Sequence, residues 1–563
     1  MTDWSIHPDA MALLDSARAA SGDSLARSIL ADWLADNGQR GLAGLMKLSL
    51  RDPGRIHHAT KNQATTLPGV LHAVDGWLLG GNASLQDKEP TKQPWVNGLH
   101  ISGRGLGPQV QVDLLKALPA LWSAGWRVLS LADFTVPPDS FIALLQKGWA
   151  RHITHMRLGG PFACSTVLAA ITQSSIQLET MELRSAWWRQ DKVPGRAVHG
   201  RPMLPPPLDF GTAGPLLPPT LRRVSLENFT LAEGDLGCFL ETLASIGTRH
   251  LGLNQCHFNS HALAAFNQSA IWKGLESLHL TGCRLPKHQP ARNEIPLRPI
   301  PTNRIRSITL RACSLRGHSL QTLAACGWLS GPTKIDLSQN HLEDLDALAL
   351  EGNLDAESVE SLNLAGCDIN GERLGQWLGL GPWERLGQLN LAWNPLGEEG
   401  WRHLADGKNT PALQVLDASS TLVTLQGLEH FANGSLFPRL GRLALRGKNP
   451  GAGMAWPESI RTLLRHPSCS GLSHIRFDAP EGWIQQEVAH PECLLAPSAR
   501  EDLLRLVEAR LREKSHREAE EELNRQLLLN IGAHTGIHAR WAARQRAYRG
   551  SIEPTASPNE PGS

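Results

Sequence analysis

Four cysteines, Cys256, Cys283, Cys313 and Cys367, recur at separations of 27, 30 and 54 residues, and Asn340 and Asn394 fall on the same phase. A row of evenly spaced thiols offers metal binding or redox exchange. The interchange of Cys with Asn points instead to a structural ladder, in which a small buried side chain bonds the backbone of the neighbouring turn. A second row, Asp336, Asn363, Asn390 and Asp417, repeats every 27 residues. Paired carboxylates can share a proton or hold a cation. These two acids, however, are three repeats apart. At about 4.8 Å per strand that is roughly 14 Å, too far for either task. The row therefore reads as a surface for a protein partner, and the plain alternative is a solvated strand face. Trp393, beside Asn390 and Ala392, reads as a Trp on the same strand and belongs with the row, because aromatic residues are enriched at binding hot spots.

Other candidates carry less. Arg157, Arg184, Arg223, Arg249 and Arg311 stand against Glu182 and Glu227; mixed signs suit a protein-facing surface better than a phosphate groove. His534 and His538 have zinc-helix spacing, but the run lacks the Glu of HExxH and contains Gly536. Cys469 and Cys493 lie outside the cysteine row, without the context of an activated thiolate. There is no P-loop, nucleophile elbow or dinucleotide fingerprint. No metal or cofactor is expected, and the chain reads as a non-enzyme.

What positions these residues is a repeat. Nine segments fit the pattern L-x-x-L-x-L-x-x-(C/N)-x-L, starting at Leu221, Thr248, Leu275, Ile305, Pro332, Val359, Leu386, Leu413 and Leu440. Eight of the successive steps are 27 or 30 residues. Weaker copies start at Val96, Trp126, Ile153, Leu178 and Leu472, giving thirteen or fourteen units. Each opens with alternation, as in Leu278 and Leu280, which predicts a short strand. The remainder predicts a helix, with Leu236, Leu240 and Leu243 or Leu320, Leu323 and Ala324 on one face. One unit cannot bury its apolar side alone, so the units must stack into a continuous core. Side chains at pattern positions three, five and seven then share the inner face. The polar row occupies position five, Trp393 position eight, and the cysteines position nine.

These units resemble leucine-rich repeats of the cysteine-containing, ribonuclease-inhibitor-like type. The resemblance implies an α/β solenoid, a horseshoe with a parallel concave sheet and outer helices, over residues 96–480. A Pro-rich insertion (189–220) and the run Pro286–Pro301 should be extended loops. Residues 1–60 are helical in pattern. Their Ala31-Asp32-Trp33-Leu34 and Asn37-Gly38 resemble a short bacterial repeat-companion domain for which no activity is implied. Residues 61–95 form a linker or cap. A charged helical tail follows at 498–549, turning basic around Arg540, Arg544, Arg546 and Arg549, with Trp541 and Tyr548. Such a tail could touch RNA or an acidic surface, or be a solvated helix end. Residues 550–563 are Pro/Ser-rich and expected to be disordered.

Composition narrows the function. Among 563 residues, 55 Lys+Arg balance 54 Asp+Glu for a net charge of +1, without the basic excess of a nucleic-acid binder. No stretch approaches the roughly 20 apolar residues of a membrane span, and no secretory signal is visible. Nine cysteines without a CxxC pair suit a reducing, cytoplasmic setting. The expectation is a non-catalytic scaffold that binds a protein on its concave face. Two alternatives are a regulator of a nucleotide-dependent enzyme, in the manner of GTPase activators, and a ligase-type effector using a cysteine.

Overall fold

The computed structural model describes residues 98–102, 108–121, 127–132, 134–185, 217–286, 299–300, 304–344, 350–447 and 456–535, with Ser28, Ile29 and Asp32. The companion-like domain is otherwise outside the described residues. So are residues 61–95, the insertion up to residue 216, most of the Pro286–Pro301 run, and the tail beyond Thr535.

Among the described residues, fourteen strands form one parallel sheet in chain order. They are Gly98–Ser102, Val128–Ala132, His155–Gly159, Thr180–Arg184, Arg223–Glu227, His250–Asn254, Ser277–Thr281 and Ser307–Arg311. Lys334–Asp336, Ser361–Asn363, Gln388–Asn390, Val415–Asp417, Arg442–Leu445 and His474–Phe477 complete it. Each strand pairs with the one before and after it, the arrangement of a repeat solenoid. Even the weaker copies keep the pattern's register: Leu129 lies opposite Met156, and Met156 opposite Met181.

The alternation dictates which side is dry. Positions four and six point into the core, where Leu251, Leu253, Leu278, Leu280, Ile308 and Leu310 are fully buried. Each such side chain contributes about 1.5–3 kcal/mol over remaining exposed. Helices cover that side, among them Glu233–Ser245, Ser260–Gln268, Gly317–Ala325, Gly371–Gly379, Gly397–Asp406 and Leu425–Ala432. Adjacent helices approach so closely that a Cβ on Gly371 would lie 2.5 Å from the backbone nitrogen of Gly400. Large aromatic rings fill the wider gaps. Trp272 and Trp328 pack at 5.0 Å between centroids, and Trp328 Nε1 donates to Asn267 Oδ1 at 2.7 Å. Positions three, five and seven are left on the open face of the sheet.

The C-terminal end of the array is covered. Helix Pro497–Thr535 lays Ala499, Leu503 and Val507 against the last strand and helix Glu481–Ala489, all three buried. Arg476 pairs with Asp502 and Arg510 with Asp478 across this contact. Further along the helix the pairs run along its own surface, Glu508 with Arg512 and Glu513 with Arg517. No helix among the described residues is long and apolar enough to cross a membrane.

Candidate functional site: the open face of the sheet

The position-nine residues are buried at the turn after each strand. Cys283 Sγ points to Leu253 O at 3.0 Å and Cys367 Sγ to Leu337 O at 3.1 Å, each a position-six carbonyl of the preceding repeat. Cys256 and Cys313 repeat the contact at 3.6 and 3.4 Å. Asparagine does more with the same position. Asn394 Nδ2 donates to Leu364 O and Leu391 O at 2.8 Å, while its Oδ1 accepts from Cys367 N and Ile369 N at 3.0 Å. Asn340 makes the same set around Leu310, Leu337, Cys313 and Leu315. Burial pushes the Cys367 thiol up to about 12, and the flanking Cys256 and Cys313 thiols, with burial, hold Cys283 well above its ordinary value. Cys283 and Cys367 therefore stay protonated at neutral pH, while the hydrogen bond with Cys283 lowers the Cys313 thiol from its ordinary value. Among the described residues no group of three or more His, Cys, Asp or Glu is placed to hold a metal.

The polar row is contiguous: Asp336 lies opposite Asn363, Asn363 opposite Asn390, and Asn390 opposite Asp417. Each of these side chains also bonds its own backbone. Asp336 Oδ1 accepts from Ser338 N at 2.9 Å, Asn363 Oδ1 from Ala365 N at 3.1 Å, Asn390 Oδ1 from Ala392 N at 3.0 Å and Asp417 Oδ1 from Ser419 N at 3.0 Å. Such Asx turns engage an N–H that would otherwise continue the ladder. The four strands carrying them are three residues long, whereas the eight before them have five. One oxygen of each row member is thus committed locally.

Trp393 stands not on a strand but in the turn that follows one. Position eight has a positive φ in all nine repeats of the main series. Its occupants are Asn228, Gln255, Gly282, Ala312, Gln339, Gly366, Trp393, Ser420 and Gly447. The reason is a second backbone ladder, in which the position-eight N–H reaches the position-seven carbonyl of the next repeat. Trp393 N donates to Ser419 O at 2.8 Å and Gly366 N to Ala392 O at 2.7 Å. Left-handed backbone suits Gly and Asn, and Trp393 at φ 61° is the one large aromatic held there among the described residues. Its side chain is 70% exposed. Leu422 and Leu425 of the following repeat are exposed as well.

The arginines occupy the other half of the open face. Arg157 pairs with Glu182 at 2.6 Å and Arg184 with Glu227 at 3.0 Å. Arg249 precedes its strand and pairs with Glu276 at 3.2 Å. Arg311 Nε donates to Gln339 Oε1 at 3.3 Å. Of the thiols outside the ladder, Cys469 is fully buried and burial pushes it up to about 12; Cys493 is buried too. His534 lies in the long helix, and His538 is outside the described residues.

Neither the known protein families nor the curated proteins contain a match to this chain. Among solved structures, 71% of the chain aligns with 90% of a chain in the crystal structure of the Rad7 and Elc1 complex from yeast, at 12% identity and a TM-score of 0.34.

Two features of the open face escaped the sequence reading. The left-handed turn had a signal, since Gly282, Gly366, Gly447 and Asn228 share position eight. The histidines His155, His250 and His279 had none, because their strand phase marks exposure and not their neighbours.

Proposed function

We propose that the chain is a non-catalytic protein-binding scaffold: a leucine-rich repeat array of the ribonuclease-inhibitor-like type that holds a partner on the concave face of its sheet. Strands about 4.8 Å apart backed by helices about 10 Å across favour curvature with the sheet inside. One observation carries the reading. Trp393 is both backbone-strained and exposed, at a position where glycine, serine or glutamine serve in the neighbouring repeats. Folding gains nothing from an indole there, and exposing it to water is unfavourable. A partner that buries it explains both. Leu422 and Leu425 extend the apolar contact, and the free oxygens and amides of Asp336, Asn363, Asn390 and Asp417 form its polar border.

The absence of catalysis is part of the proposal. The carboxylates of the row are three strands apart, the ladder thiols and Cys469 are buried, and burial or neighbouring thiols hold Cys283, Cys367 and Cys469 protonated. The test is affinity capture from lysate of the source organism with wild type and Trp393→Gly. The substitution suits the local backbone, so the variant folds. A protein retained by wild type and lost by the variant supports the reading. Equal capture by both rejects Trp393 as the anchor.

A further inference from the structure

Six strands before Trp393, the open face changes character. Position five there is occupied by Ser225, Gly252 and His279 on consecutive strands, directly opposite one another. Gly252 makes room for its neighbour: a Cβ at that position would lie 2.9 Å from Ser225 Oγ, so the serine side chain leans over the glycine. Ser225 Oγ accepts from Asn254 Nδ2 at 3.4 Å, which leaves its own hydrogen available. His250 Nδ1 meets Ser277 Oγ at 2.8 Å and His279 Nδ1 meets Thr309 Oγ1 at 3.0 Å, which leaves Nε2 of each ring for an outside partner. Arg223, on the strand between Thr180 and His250, is exposed.

Arg223 has no counter-ion among the described residues, a state it shares with Lys334 and Arg442 at position three of later strands; what sets it apart is the cluster of hydroxyls and imidazoles beside it. Glu182, Glu227 and Glu276 are each engaged, with Arg157, Arg184 and Arg249. Among the described residues no carboxylate lies within salt-bridge distance of Arg223. A cation without a counter-ion, beside a serine hydroxyl and two imidazoles on neighbouring strands, lacks one component, an anion.

We propose that the cluster formed by Arg223, Ser225, His250, Gly252 and His279 is a carboxylate-binding subsite that takes an acidic side chain from an extended segment of the partner protein. The inference rests on the concave-face reading above and adds the chemistry of the partner. An acidic peptide fits better than a nucleic acid, because the paired Glu182 and Glu227 interrupt the positive surface on one side. A continuous phosphate backbone would run over them, whereas separated carboxylates avoid them.

The test measures binding of fluorescein-labelled octaglutamate to the full-length protein by anisotropy at low ionic strength. Arg223→Glu should weaken binding about tenfold or more, and Arg223→Lys should stay within about threefold of wild type. Arg402→Glu, on the outer helix Gly397–Asp406, makes the same charge change and should leave binding unaltered. No binding by wild type, equal binding by Arg223→Glu, or equal loss in Arg402→Glu overturns the subsite. So does tighter binding of an oligothymidylate of matched charge that Arg223→Glu abolishes, since the site would then serve nucleic acid. Trp393 follows a strand six along the sheet from that of Arg223, roughly 29 Å away. Trp393→Gly should therefore spare octaglutamate binding while reducing partner capture, and the two readings fail separately.

Discussion

The sheet is one continuous ladder, yet its open face is built in two ways. Up to Ser307–Arg311 the strands have five residues, position five holds groups such as Arg157, Glu182, His279 and Thr309, and the turn is bonded by Cys256, Cys283 and Cys313. From Lys334 to Asp417 the strands have three residues, position five is Asp or Asn, and Asn340 and Asn394 bond the turn on either side of Cys367. The first half spends its polar side chains on each other, in ion pairs across strands. The second half turns them onto its own backbone, which ends each strand early, while the left-handed turn that carries Trp393 is common to both halves. The same repeat thus supports a charged surface and an exposed indole without any change in the buried leucines.

The largest effect should come from the ladder, where the halves differ most in bonding. Asn394→Ala leaves Cys367 N, Ile369 N, Leu364 O and Leu391 O without their buried partner, and should cost about 3–4 kcal/mol. Cys283→Ala removes one weak donor and a small volume, and should cost about 1 kcal/mol. Urea unfolding followed by circular dichroism decides it; equal losses would mean the asparagine network contributes no more than a thiol. Next comes the Asx row. Asn390→Ala should cost about 1 kcal/mol and speed hydrogen exchange at Ala392, whose N–H loses its acceptor. Protection unchanged at Ala392 would dissociate the row from strand length.

The stacked parallel architecture was legible because period outweighs detail. Leu278 and Leu280, repeated at the same phase in repeat after repeat, leave one way to bury an apolar side. The positions of the polar row and the ladder were legible for the same reason. The consequence of the polar row was not, since an Asx side chain on a strand can face a partner or fold back two residues, and only the backbone geometry chooses. Trp393 was picked out as an aromatic near that row, but its strain depends on a carbonyl supplied by Ser419, 26 residues on. Arg223 looked like any other strand arginine. Its lack of a counter-ion follows from the pairing of Glu182, Glu227 and Glu276 with different arginines, and its setting from the strand neighbours Ser225, His250 and His279, a matter of which neighbours meet in space.

Trp393→Gly probes the cost of the second half's design. A non-glycine residue in the left-handed region costs about 1 kcal/mol, partly offset by the greater freedom of glycine in the unfolded chain. The variant should match or exceed wild-type stability, by up to about 1 kcal/mol, while losing partner capture. A stability gain together with lost binding would mark the indole as kept for function. A clear stability loss would show that it packs on Gly366 or Ser420 and belongs to the fold.

The smallest effect should be a pH response confined to the first half. Burial lowers the affinity of His155, His250 and His279 for protons below the ordinary imidazole value of 6.5, and Arg223 adds to it at all three. The carboxylates facing them work the other way: Glu179 and Glu182 at His155, Glu276 at His250 and Asp336 at His279. Arg249 acts with Arg223 at His250, and His250 itself acts on His279. Because the folded state binds these protons less readily than the unfolded chain, stability is greatest above about pH 6.5 and falls as pH drops below it. Asp502 titrates in a separate window. Its hydrogen bond from Arg476 holds the carboxyl below the ordinary value of 3.8, so its contribution is lost only in stronger acid. Thermal melts at about pH 7.5 and 5.5 should differ by a few degrees, less in a His250→Gln/His279→Gln variant. Hydrogen exchange on acidification should quicken around Leu280 and not around Leu362, where positions three, five and seven carry no histidine. Binding of octaglutamate at the Arg223 cluster should strengthen over the same interval, because an anion favours the protonated rings. Acid that loosened both halves alike would place the pH response elsewhere in the molecule.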